Sequence, residues 1–152
     1  DRLKQLLKNN NCICKVNKRV FTNKEDILKE LDELQLPIPI LFDIDVLNFI
    51  APTIKEKTGF SFNISSDVRG EKHVMLLVGY EDKGKRLYFV DPNYMLPISK
   101  ELDLYNKENL VSLDSNEFYT YVSLDGPKEY IQIRCTKQEN KKLKNDNLKK
   151  YF

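Results

Sequence analysis

The sequence predicts one α+β domain in which helices pack on an antiparallel sheet. Three observations carry that expectation. Apolar runs near 38–43, 73–80 and 86–91, and an alternating run near 128–135, have the length and texture of strands. The runs at 73–80 and 86–91 are separated by the turn EDKGK, which makes them an antiparallel hairpin. Ile27, Leu28, Leu31 and Leu34 recur at helical spacing behind a capping box of Thr22 and Glu25, which predicts a helix over 23–35.

Taken in order, Leu3, Leu6 and Leu7 suggest a short amphipathic helix that gives way at an Asn run to a strand, CICKV. The helix at 23–35 follows. LPIPILFDID then places two prolines at the entry to the strand near 38–43, and the acids Asp43 and Asp45 beyond it read as turn and cap residues. Residues 51–70 are rich in Pro, Gly, Ser and Thr and read as a long connection to His73. HVMLLVGY is apolar at nearly every position, the pattern of a strand buried on both faces. Pro92 ends its partner, Ser115 caps a short segment NEFYTYVSL, and EYIQIRC closes the sheet with Tyr130, Gln132 and Arg134 on one side. The domain is expected to span 1–136, and the lysine-rich stretch 137–152 reads as a solvated, fraying helical tail.

Composition bounds the function. A chain of 152 residues can bury a core without metal or disulfide staples. No apolar run approaches the length a membrane helix needs, so no membrane span is expected. The 25 basic and 23 acidic residues are interspersed, which argues against a nucleic-acid surface, and the tyrosines and phenylalanines sit mostly in apolar runs, as core residues do. The five glycines stand singly, so there is no phosphate-cradling loop and no nucleotide cofactor is expected. Three cysteines and one histidine make neither a zinc site nor a disulfide framework; Cys12, Cys14 and Cys135 read as small buried thiols in a reducing compartment, and the chain as cytoplasmic. The opening DRLKQLLKNNN has no initiator Met and no signal-peptide succession, which predicts an excised or processed chain.

The candidate chemistry lies in EKHVMLLVGYEDKGKRLYFVDPNY, which holds the single histidine, His73, and Asp91 eighteen positions on. Opposed residues of an antiparallel hairpin have position numbers of constant sum and share a face. A turn centred near Asp82 puts His73 opposite Asp91. A centre one residue later makes them diagonal neighbours on the same face, and an odd-sum register separates them onto opposite faces. An imidazole used as a base needs an acceptor on its second nitrogen, and Asp91 can be that acceptor.

This hairpin resembles the His-to-Asp hairpin of papain-like cysteine peptidases of the bacteriocin-processing (double-glycine leader) type, and of the related butirosin-biosynthesis acyltransferase family. His73, Gly79, Tyr80, Glu81, Asp82, Asp91 and Pro92 fall at matching positions, with IPILFDID before them and NEFYTYV after them like neighbouring segments of both families. The resemblance covers about residues 24–125. It implies a papain-like fold in an incomplete or degenerate version, with His73 as general base and Asp91 as its orienter. The substrate class it implies is a peptide or an acyl-thioester. Both families place a nucleophilic Cys at a helix N-terminus upstream of the His, and this sequence has none there. Cys12 and Cys14 sit in strand-like sequence without a helix dipole to lower a thiol pKa. The nucleophile then comes from an upstream segment of the same protein or from a partner protein, or else the domain is an inactive module that binds a peptide or partner.

Overall fold

The computed structural model describes residues 12–59, 61–62, 70–92, 110–123 and 126–137. Its elements are β1 (Cys12–Val20), α1 (Lys24–Leu34), β2 (Ile38–Asp43), α2 (Val46–Thr58), β3 (Lys72–Glu81), a 3₁₀ turn (Asp82–Gly84), β4 (Arg86–Val90), β5 (Val111–Asp114), α3 (Ser115–Val122) and β6 (Glu129–Lys137). The six strands lie in the order β1-β6-β2-β3-β4-β5, and the pairs β6/β2, β2/β3, β3/β4 and β4/β5 are antiparallel. The class is α+β, as expected. Contacts divide the chain into two units, whose described parts are 12–17 with 132–137, and 18–131. The expected tail beyond 137 and the expected helix over Leu3, Leu6 and Leu7 fall outside the described residues.

The core lies on one face of the sheet. Ile38, Ile40 and Phe42 of β2 are paired with Leu77, Met75 and His73 of β3, and all six are buried. Leu87 and Phe89 of β4, paired with Leu113 and Val111, continue this face. Helix α3 adds Phe118 and Val122, and α1 adds Ile27, Leu28 and Leu31. Rings mesh at the centre: Phe42 meets Phe89 edge-on at 5.3 Å between centroids, and Phe118 lies 6.0 Å from Phe42 and 6.2 Å from Phe89. Such contacts add to the area term that holds sheet and helix together.

Several sequence expectations need correction. Helix α1 is capped one residue later, by the Asn23 side chain accepting from the Asp26 amide, and ends at Gln35 in the left-handed region. Residues 46–58 are helical, so 51–58 do not belong to the long connection expected over 51–70. Val46, Leu47, Ile50 and Ile54 lie at helical spacing and are buried, and that burial outweighs the donor lost at Pro52 inside the helix. Asp114, not Ser115, caps α3, in a reciprocal box with Glu117. Strand β3 alternates buried and half-buried side chains over its first half, so only one of its faces is fully covered.

The cysteines also differ from expectation. Cys14 and Cys135 form a disulfide across 121 positions of sequence, so they are not thiols, and the argument for a reducing compartment falls with them. The adjacency of β1 and β6 brings the two together, and neither strand's own pattern announces that adjacency. Among the described residues, no helix is long and apolar enough to cross a membrane.

The β3–β4 turn is tight and unusual. Asp82, Lys83 and Gly84 have φ of 51°, 58° and 90°, a left-handed run that only glycine adopts without strain. Gly84 is also pressed under α1: a Cβ there would lie 2.6 Å from Leu28 Cδ1 and 2.9 Å from Lys24 Cε. Gly84→Ala is therefore expected to lower unfolding free energy by about 1–3 kcal/mol, read as a lower urea midpoint at constant slope. An unchanged midpoint would mean that α1 and the turn yield without cost.

Candidate active site

Two strand ends build the site. His73 is the second residue of β3, opposite Phe42 of β2, and Asp91 is the first residue after β4. Near the turn, the pairs Glu81↔Arg86, Tyr80↔Leu87 and Gly79↔Tyr88 follow an odd-sum register. Between Leu77 and Gly79 the register shifts, leaving Val78 as an extra residue, and the pairs Leu77↔Phe89 and Leu76↔Val90 follow an even sum. That bulge decides the chemistry. Continued one step, the even register sets Asp91 opposite Met75 and diagonal to His73 on the same face.

The side chains meet. His73 Nε2 and Asp91 Oδ2 are 2.7 Å apart, with side-chain exposures of 6% and 1%. A carboxylate on Nε2 favours the proton on that nitrogen, and so leaves Nδ1 with the lone pair a base requires. Among the described residues, no buried side-chain nitrogen or oxygen lacks a hydrogen-bond partner. Phe42, cross-strand from His73, and Phe89, two residues before Asp91, place the aromatic core next to the pair and keep its inner side dry.

Asp43 and Asp45 divide differently from expectation. Asp45 does occupy the N-cap position of α2, though its side chain makes no cap bond. Asp43 is the last residue of β2, buried to 3% exposure, and forms an ion pair with its cross-strand neighbour Lys72. This pair lies one register step from His73 and ties together the ends of β2 and β3. Sequence reasoning read Asp43 as a turn acid and passed over Lys72; a lysine next to the single histidine and an acid at the end of the preceding strand were the available signals. Among the described residues, no cluster of three or more His, Cys, Asp or Glu could hold a metal ion.

Electrostatics beyond the pair are local. Tyr80 donates to Asp32 of α1 at 2.7 Å, and that bond raises the pKa of the exposed phenol. Tyr121 on α3 packs 5.2 Å from Phe49 of α2; burial raises its pKa, with smaller contributions from the carboxylates of Asp45 and Glu117. Glu25 is held below the usual carboxylate range by its bond to Lys24 at 3.0 Å.

Fold and pair together define a class: an α+β domain whose antiparallel sheet carries a nearly buried His–Asp hydrogen bond at one end. No protein-family model, no curated protein and no solved structure matches the chain.

Two outcomes follow from this geometry. Asp91→Ala leaves Nε2 of His73 without its acceptor in a closed site, and is expected to cost about 1–3 kcal/mol in denaturant unfolding; Asp91→Asn, which keeps an acceptor oxygen, should cost less. Equal losses for the two variants would argue against the hydrogen bond as the cause. The second outcome concerns pH. Because the folded-state pKa of Tyr121 is raised, its contribution is intact below the unfolded value near pH 10 and is lost as pH rises through the folded value. Stability should therefore fall above about pH 10. Tyr121→Phe should flatten that decline in a series of urea midpoints, and an identical decline would assign it to other groups.

Proposed function

We propose that this chain is part of a papain-like cysteine peptidase or acyltransferase, in which His73 is the general base and Asp91 its orienter. The observation that carries the reading is the 2.7 Å bond between Nε2 and Asp91 Oδ2, which leaves Nδ1 for a thiol. In the reaction, Nδ1 takes the proton of a cysteine thiol, and the thiolate adds to the carbonyl of a peptide or acyl-thioester. The imidazolium then gives that proton to the leaving amine or thiol as the carbonyl reforms. Water or an acceptor nucleophile next attacks the acyl-enzyme, with His73 again taking the proton; the C–S bond then breaks, the product leaves, and the cysteine takes that proton back from the imidazolium. Asp91 holds the ring in place and stabilises the imidazolium.

Cys14 and Cys135 are joined to each other and hold no thiolate, so neither serves as the nucleophile in this state. Cys12 opens strand β1 and has no helix N-terminus to activate it, so the reading puts the nucleophile on an upstream segment of the same protein or on a partner protein. The same observation favours a second reading, in which the domain is inactive and binds a peptide or partner protein.

A substrate-like, thiol-directed covalent probe separates the two. The 152-residue chain alone should label no faster than an ordinary exposed thiol, with no change on His73→Ala. A longer version that includes upstream residues, or a complex with the partner, should gain a cysteine that labels at least about a hundredfold faster. That gain should vanish in His73→Ala and shrink in Asp91→Ala. If no longer version or complex shows His73-dependent labelling, the binding module is the correct reading. Fast, His73-dependent labelling of Cys12 in the chain alone would instead make it a complete enzyme.

A further inference from the structure

The disulfide and the core occupy different parts of the chain. Among the described residues, every buried apolar side chain lies between Phe21 and Tyr130. The terminal strand segments 12–17 and 132–137 form a separate unit and contribute none. Ile13 is 46% exposed, Lys15 and Asn17 are exposed, and so are Arg134, Cys135 and Thr136. The described side chains of Cys14, Val16, Gln132 and Ile133 are half-buried and none is fully buried, and a two-stranded ribbon that buries so little is at best marginally stable in water. A covalent link between its strands then adds substantially to what holds it, and that link is within reach of solvent because Cys135 is exposed.

We propose that the Cys14–Cys135 disulfide is a redox-sensitive clasp on this terminal ribbon: a dithiol reductant opens 12–17 and 132–137 and leaves the unit 18–131, with its His73–Asp91 pair, folded. The inference does not depend on the catalytic reading. A thiolate of the reductant attacks Cys135 Sγ, the S–S bond breaks, and Cys14 leaves as a thiolate that takes up a proton. The second thiol of the reductant attacks the mixed disulfide, releases Cys135 as a thiol and closes the reductant's own disulfide. Two electrons pass from the dithiol to the protein disulfide, so the reductant ends as its own disulfide and the protein as two thiols.

The competing role is a staple for the whole fold. Closing 121 positions of sequence constrains the unfolded chain and raises global stability regardless of what the ribbon does. Global stability therefore does not discriminate between the two. The native state of the reduced protein does.

The test compares the full chain with and without dithiothreitol, under conditions where both forms are native. Alkylation and mass measurement follow the thiols, and Cys12→Ser removes the third thiol as an exchange partner. Limited trypsinolysis should show cleavage after Lys15 and Arg134 rising about tenfold or more on reduction. Cleavage inside 18–131 should change less than about twofold. The single histidine gives one set of imidazole NMR signals, which should keep its folded position in both forms. The double variant Cys14→Ser/Cys135→Ser should reproduce the reduced pattern. Unchanged cleavage after Lys15 and Arg134 would overturn the proposal, since the ribbon would then hold without its disulfide. Collapse of the His73 signals to unfolded positions on reduction would also overturn it, because the disulfide would then hold the core itself.

Discussion

The register between β3 and β4 governs what this sheet can do. Strand side chains alternate with period two, so a hairpin that buries Phe89 also sends the residue two positions on, Asp91, to the buried face. Phe89 has to be buried, because its ring meets both Phe42 and Phe118. The left-handed turn at Asp82–Gly84 starts the hairpin in the register that would put His73 on the other face. The extra residue at Val78 changes parity before the strands reach it. Core packing on one strand and a bulge on the other thus bring the imidazole and the carboxylate together.

Such an arrangement is a poor way to gain stability. A carboxylate taken to 1% exposure loses its hydration, and its interactions inside the protein, the bond to the imidazole among them, have to offset that loss. Apolar side chains of similar volume at the two positions would cost less. The Asp43–Lys72 pair follows the same logic less severely, since the lysine keeps part of its side chain in water. Two polar pairs thus occupy consecutive register positions at one end of the sheet, pointing to alternate faces, the feature expected where a fold trades packing for chemistry.

The strands of the central hairpin, β2, β6 and helix α1 were readable from the sequence because each has a strong period of its own. The same holds for the His73–Asp91 pair, although only as one of two registers; what chose between them was a bulge. Gly79, standing alone inside an apolar strand, is the usual mark of one. Three features were not readable. Helix α2 was hidden because Pro52 and the polar residues after it resemble a loop, while Val46, Leu47, Ile50 and Ile54 had to be counted together across it. Strand β5 has four residues, too few for alternation to register. The disulfide depends on β1 and β6 being neighbours, a long-range pairing that no local pattern encodes.

The disulfide reaches back to the chemistry through the inventory of thiols. With Cys14 and Cys135 joined, the chain keeps the His73–Asp91 pair in a unit that holds, among the described residues, every buried apolar side chain. The inner side of the imidazole is taken by Asp91 and the phenylalanine cluster, so a second partner must reach Nδ1 through the small exposed fraction of the ring. So small an exposed fraction suits a single thiol held by a docked helix or strand better than a freely diffusing one, because positioning by the protein replaces the entropy a collision would have to lose. On the proposed reading, a catalytic role for this domain is therefore a question of what docks against that strand end.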